Sequence, residues 1–237
     1  MKGSFMSDIV FVSGIDTGTG KTVATGMMAR FLTERNLRAA TVKPVQTGCH
    51  GFSEDVELHR KLMGTGPLPE DSRGLTAPQI FAFPGSPHLA AALEGKRVDI
   101  EKISSAVTQV SRSYDVTLVE GAGGLAVPLT MDLLTADLVA ERKWPVVLVV
   151  SGKLGSLNHA LLSLEALARR EMTLRGIVYD YAPDVDPVID RDTPETLIGY
   201  LGRYGFPRVL VRLGKVDLSR PGAASCDFTP LFPEVLR

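Results

Sequence analysis

Sulfur chemistry is nearly missing from this 237-residue chain: its two cysteines, Cys49 and Cys226, stand far apart and outside any CxxC spacing. That argues against a disulfide framework or a zinc cluster. The four histidines, His50, His59, His88 and His159, form no ligand-spaced motif, so each reads as structural or exposed. Long apolar runs are missing too. The longest, PVVLVV at 145–150, falls far short of the roughly 18 residues that a membrane span needs, and Ile9 to Val12 is too short for a signal segment. A cytoplasmic protein with no membrane partner is expected. Charge of one sign is not in excess, since 26 Lys and Arg nearly balance 27 Asp and Glu for a formal charge of -1. No general attraction for nucleic acid follows, and any anion site must be local. Repeats, low-complexity tracts and Pro/Gly/Ser-rich linkers are absent, which points to one domain over 1–237.

What is present is a chain with 44% hydrophobic and 22% charged residues, long enough to bury a sizeable core. DIVFVSG (8–14) reads as a strand that runs through a glycine-rich loop into a helix from Thr22 to Arg35. AATVKP (39–44) reads as a second strand, and SEDVELHRKLMG (53–64) as a helix capped by Ser53 and ended by Gly64. Residues 65–87, rich in Gly and Pro, read as irregular. Helices follow at SPHLAAALEG, with Pro87 in the first turn, and at 99–113. DVTLVEGAGG (115–124) is a buried strand entering a glycine turn, ADLVAERK a helix, PVVLVV a strand, 156–170 a helix and LRGIVYD (174–180) a strand. PETLIGYLGRYG (194–205) reads as the last helix and PRVLVRL as the last strand. Continuously apolar strands are those covered on both faces, so the expected class is α/β: a doubly wound, mostly parallel sheet flanked by helices.

The loop SGIDTGTGKT (13–22) carries the chemistry. A glycine-rich turn between strand and helix lets backbone N–H groups converge on phosphate, and the helix N-terminus adds positive potential. Counting back from Gly20-Lys21-Thr22, the usual spacing requires glycine at Ile15, whereas the nearest one is Gly14. The loop is thus one residue longer than the standard motif, and a plain Gly-rich packing turn is its bland alternative. Read as P-loop NTPase-like, it offers Asp16, Thr17, Gly18, Thr19, Gly20, Lys21, Thr22 and Val23 to a nucleotide, with Lys21 for the β and γ phosphates and the Thr22 hydroxyl for Mg²⁺. Glu120, ending a buried strand beside glycines, is the carboxylate such a metal needs. Asp115, at the start of that strand, belongs to the opposite edge of the sheet and reads as a turn residue. Lys43 ends the second strand at the edge where open α/β sheets bind ligands; a lone lysine is commonly surface solvation, but this one is followed by Pro and VQTG. Asp55 is either a second metal carboxylate or a first-turn acid favoured by the helix dipole.

In their order, GIDTGTGKT, KPVQTG (43–48), SPHLAA (86–91), VEGAGGLAVPL (119–129) and KLGSLNHALL (153–162) resemble the dethiobiotin synthetase family over residues 8–180, long loop included. The resemblance implies a cyclo-ligase of biotin synthesis: 7,8-diaminopelargonate takes up CO₂ or bicarbonate as a carbamate, the carbamate attacks the γ-phosphate of a nucleoside triphosphate, and the mixed anhydride closes to a ureido ring. ATP and Mg²⁺ are the implied cofactors. Lys21 and Lys43 would stabilise phosphate and carbamate oxygens, Thr17 and Thr47 would flank the substrate with Gly123, and Thr22, Asp55 and Glu120 would hold Mg²⁺. A homodimer is implied, with the substrate carboxylate held in the partner by the helix start at Gly155, Ser156, Leu157 and Asn158. Read from the residues alone, Ser156 is an ordinary N-cap. Asp180 stands where relatives carry asparagine for the base; a carboxylate only accepts hydrogen bonds, which suits a base presenting donors unless it faces solvent.

The main rival reading is a P-loop switch ATPase of the partitioning and division-positioning type. Such proteins carry a second lysine near the loop start, and SGIDTG has none. An amidotransferase-type synthetase would need an ammonia-supplying domain with a catalytic cysteine, for which this chain has no room.

Overall fold

The computed structural model describes residues 7–180, 182, 185–220 and 225–236. Six strands form one parallel sheet: β1 (Asp8–Gly14), β2 (Ala39–Val42), β5 (Val116–Gly124), β8 (Val146–Ser151), β9 (Leu174–Asp180) and β10 (Leu210–Leu213). Their order is β10-β9-β8-β1-β5-β2. The chain builds β2 and β5 on one side of β1 and then crosses to β8 on the other. A crevice opens at the carboxyl end of β1, where the strand order reverses and open α/β sheets take their ligands.

Alternate residues of each strand serve opposite faces. Val10, Val12, Leu118, Val147 and Val149 pack under α1 (Lys21–Glu34) with Met28 and Leu32. Phe11, Val119, Leu148 and Val150 face α5 (Ile100–Ser111), α6 (Thr135–Glu141), α7 (Ser156–Arg169) and α8 (Pro187–Arg203). With both faces covered, neither set can be polar, hence the continuous apolar runs. The first core also takes Phe228, Leu231 and Phe232 from beyond the last strand.

Most elements lie where periodicity places them. α2 (Glu54–Met63) starts at Ser53, whose hydroxyl accepts from the Val56 N–H at 3.2 Å, and ends at Gly64 with φ 70°. α4 (Pro87–Leu93) and α5 follow the expected pattern. Segment 65–87 is more ordered than expected, holding α3 (Pro69–Ser72) and β4 (Gln79–Phe81). β4 pairs parallel with β3 (Val45–Thr47) in a small second sheet. Strands of three residues are too short to carry a period. A further pair, β6 (Pro128–Thr130) and β7 (Leu133–Leu134), is antiparallel. The expected glycine turn after Glu120 is instead strand, since β5 runs on to Gly124.

α8 corrects the expected start at Pro194. It begins seven residues earlier, with Pro187 in the first turn and the Asp186 carboxylate accepting from the Val188 N–H at 2.7 Å. Pro194 then lies inside the helix, where it cannot donate to the Asp190 carbonyl one turn back. The Arg212 guanidinium donates to that carbonyl instead, at 3.0 Å. Among the described residues no helix is long and apolar enough to cross a membrane.

Candidate active site

A cleft of about 690 Å³ opens at the carboxyl edge of the sheet. Its floor is the phosphate loop, its back wall the ends of β2 and β5, and its far side β3 with the start of α4. Thr17, Gly18, Gly20, Lys21, Thr22, Val23, Lys43, Thr47, Asp55, Glu120 and Gly123, all singled out in the sequence, line it.

The long loop folds back over its own start. A Cβ on Gly14 would overlap the Thr19 hydroxyl and stand 2.9 Å from Lys21 Nζ, so only glycine admits this crossing. Both groups bond one carbonyl: Lys21 Nζ donates to Asp16 O at 2.7 Å and Thr19 Oγ1 does so at 3.1 Å. The exposed Asp16 carboxylate accepts from the Thr17 N–H at 2.7 Å. Gly20 caps α1 in the left-handed region at φ 84°. A side chain there would overlap Asp180, which ends β9 and lies against the loop. Burial pushes the Lys21 ammonium down to about 8, helped by the charge of Lys43 and opposed by Glu120, Asp55 and Asp16.

Deeper in the cleft, acids and bases interlock. Lys43, just beyond β2, places Nζ 2.7 Å from Asp55 Oδ2 and 2.8 Å from Glu120 Oε1, and donates to the Gly121 carbonyl at 3.1 Å. Thr22 Oγ1 stands 3.0 Å from both Asp55 Oδ1 and Glu120 Oε1. His59 Nε2 stands 2.7 Å from Glu120 Oε2. Burial would raise the Glu120 carboxyl, but the Lys43 charge and the His59 contact outweigh it and hold it well below the usual carboxylate range. Burial would likewise lower Lys43, yet Glu120 and Asp55 hold its ammonium above the ordinary lysine value.

Three oxygens therefore crowd together: one threonine hydroxyl with a single hydrogen, and one oxygen from each of two carboxylates. Thr22 can satisfy only one of them. This hard-oxygen set suits Mg²⁺. Charge balance agrees, because two lysines against two carboxylates leave the cleft without the surplus positive charge that a triphosphate requires.

Three placements add to or correct the sequence reading. His59 was read only as structural or exposed; it is fully buried against Glu120. The spacing of four between Asp55 and His59, one helical turn, was the available signal. Gln46 and Ser86, within KPVQTG and SPHLAA, also line the cleft. Ser156 is not the cap of α7: Gly155 holds that position at φ 91°, and the Ser156 hydroxyl pairs with Ser151 Oγ at 2.9 Å. Gly155, Ser156, Leu157 and Asn158 are not among the residues that line this cleft. Asp115 lies at the opposite edge, as expected, paired with Arg38 at 2.6 Å.

Sheet order, loop and lysine-carboxylate cluster together define a P-loop nucleotide-binding protein, and the family described as an AAA domain matches residues 8–204. Among solved structures, chloroplast FtsY from Physcomitrella patens is similar in fold, with a TM-score of 0.51 at 16% identity over 100% of this chain and 67% of that one. The ATP-dependent dethiobiotin synthetase BioD of Chlorobaculum tepidum is 46% identical over 95% of this chain and 91% of its own. BioD 2 of Pasteurella multocida is 42% identical over 84% and 93%, and BioD of Lysinibacillus sphaericus 35% over 80% and 82%. The chain belongs to the dethiobiotin synthetase family of ligases.

Proposed function

We propose that this chain, acting as a single P-loop synthetase domain over 1–237, converts 7,8-diaminopelargonate, CO₂ and a nucleoside triphosphate to dethiobiotin, nucleoside diphosphate and phosphate. The observation that carries the proposal is the convergence of Lys21, Thr22, Lys43, Asp55 and Glu120 in one cleft, within 2.7–3.0 Å contacts that join four of the five.

The reaction needs charge stabilisation more than a strong base. Diamine and CO₂ give a carbamate, a carbamate oxygen attacks the γ-phosphorus, and negative charge spreads over phosphoryl oxygens. Lys21, at the loop, neutralises the β and γ phosphates, while the backbone N–H groups from Thr17 to Val23 fix the triphosphate. Lys43, with Thr17, Thr47 and Gly123 of the same cleft, holds the carbamate in line. The second amine then attacks the carbamoyl carbon and expels phosphate, closing the ring. Mg²⁺ held by Thr22, Asp55 and Glu120 would supply the positive charge that draws the triphosphate into the cleft.

The chain works as a homodimer, in which the start of α7 at Gly155, Ser156, Leu157 and Asn158 receives the substrate carboxylate in the partner's cleft; a helix N-terminus favours such a group. Asp180 faces the nucleotide base and relaxes the preference for ATP. The protein works in the cytoplasm, with neither nucleic acid nor membrane as partner. Oxygen transfer tests the anhydride step. With ¹⁸O-labelled bicarbonate in a short incubation, released phosphate carries label if a carbamate oxygen attacked phosphorus; unlabelled phosphate beside labelled dethiobiotin would rule the step out.

A further inference from the structure

Glu120 divides its two oxygens between two tasks. Oε1 faces the cleft, shared by Lys43 Nζ at 2.8 Å and Thr22 Oγ1 at 3.0 Å, while Oε2 is turned inward to His59 Nε2 at 2.7 Å. His59 is 0% exposed and Glu120 1%. Both side chains are shielded from bulk solvent, so the bond is held within the protein interior. A carboxylate can only accept, so the hydrogen must sit on Nε2. The other ring nitrogen, Nδ1, is buried with no hydrogen-bond partner among the described residues. An imidazole buried with one nitrogen unsatisfied bears a desolvation cost, which a residue present only to fill core space would avoid.

The element that carries His59 makes the arrangement more specific. Asp55 and His59 lie one turn apart on α2, so the helix that brings Asp55 to Thr22 also brings the imidazole to Glu120. α2 is fixed at its start by Ser53, whose hydroxyl donates to Gln46 Oε1 at 2.6 Å, and along its length by Leu62 against Gly26 of α1. One rigid helix therefore sets both the position of one carboxylate and the rotation of the other. We infer that His59 is a positioning residue, which pins Glu120 Oε2 so that Oε1 is presented to the metal beside Asp55 and Thr22. Partners of metal ligands orient them and commonly change metal affinity by about 10–100-fold when removed.

The inference rests on the reading of Glu120 as a metal ligand, and the experiment separates the two. Mn²⁺ serves as the probe, titrated in the presence of ADP and followed by its electron paramagnetic resonance signal, so that turnover is not involved. His59→Leu fills the space without a donor and should weaken Mn²⁺ binding by about 10–100-fold. His59→Gln, whose amide nitrogen extends to where the imidazole Nε2 stands, should stay within roughly threefold of wild type. His59→Asn, one bond shorter, should behave like His59→Leu; if the leucine variant does not fold, the Gln and Asn pair decides. Wild-type affinity in folded His59→Leu or His59→Asn, with Glu120→Gln weakened, overturns the positioning role alone. Undiminished Mn²⁺ affinity in Glu120→Gln removes the metal reading and the inference with it.

Discussion

Replacing Lys43 by Met tests whether lysine and metal share the same carboxylates. Met keeps most of the length of the side chain, one atom short, and removes its charge, leaving Glu120, 1% exposed, with no cation at Oε1. Removing one partner of a buried ion pair costs about 3–5 kcal/mol. Asp55 is 25% exposed in its side chain and can recover water, so the lower end, about 3 kcal/mol, is expected here. For a chain of this size that is a fall in Tm of about 6–12 °C. The loss should appear in EDTA and shrink when Mg²⁺ is added, because the metal can take the place Lys43 leaves. Saturation at about 100 times Kd returns about 2.7 kcal/mol. Wild type should gain less, since there the metal must first displace the Lys43 ammonium from its 2.7 Å and 2.8 Å contacts. Thermal unfolding of both proteins in EDTA and in Mg²⁺ reads all four values. A Lys43→Met protein as stable as wild type in EDTA would refute the counter-ion argument, and equal Mg²⁺ gains in the two proteins would refute shared ligands.

The Lys21 ammonium, near 8 in the free protein, is raised by a phosphate oxygen beside it. Above pH 8 binding then requires proton uptake, so the Kd for ADP in EDTA should rise toward about tenfold per pH unit; a Kd flat from about pH 7.5 to 9.5 contradicts this. Arg60, buried on α2, pairs with Asp71 through Nη2 at 2.7 Å and Nε at 2.8 Å. Arg60→Met should cost about 2–3 kcal/mol by denaturant unfolding, because Thr76 Oγ1 and the Leu68 N–H still hold Asp71; a loss below about 1 kcal/mol would mean the pair is not stabilising. Asp180, a carboxylate where an amide could both donate and accept, should leave kcat/KM for ATP less than 10⁴ above those for GTP and CTP, and a larger preference would exclude relaxed selectivity.

The sheet was legible because its strands are buried on both faces, and a segment such as Leu174–Asp180 has no other reading. Prolines were harder. Pro194 looks like the first residue of a helix and is an interior one, tolerated because Arg212, distant in sequence, bonds the carbonyl it leaves free. Lys21, Thr22, Lys43 and Asp55 were legible as candidates because each stands at a strand end or helix start at the ligand-binding edge, and Glu120 because it is an acid in an apolar strand just before glycines, although β5 runs on to Gly124. His59 was only half legible: its spacing of four from Asp55 puts both on one face of α2, but its partner Glu120 lies 61 positions away. Ser156 misled because serine before an apolar run is the usual mark of a cap, while Gly155 takes that position at a φ glycine adopts without strain.

The proposed coupling of nucleotide cleavage to ring closure is open to direct measurement. It is tested most directly by following phosphate release and dethiobiotin mass together, with Mg²⁺, bicarbonate and ATP, with and without 7,8-diaminopelargonate. Coupled chemistry gives phosphate only when the diamine is present, in equal amount to dethiobiotin. Phosphate released at the same rate without the diamine, and no dethiobiotin with it, would overturn that coupling and identify a switch ATPase instead.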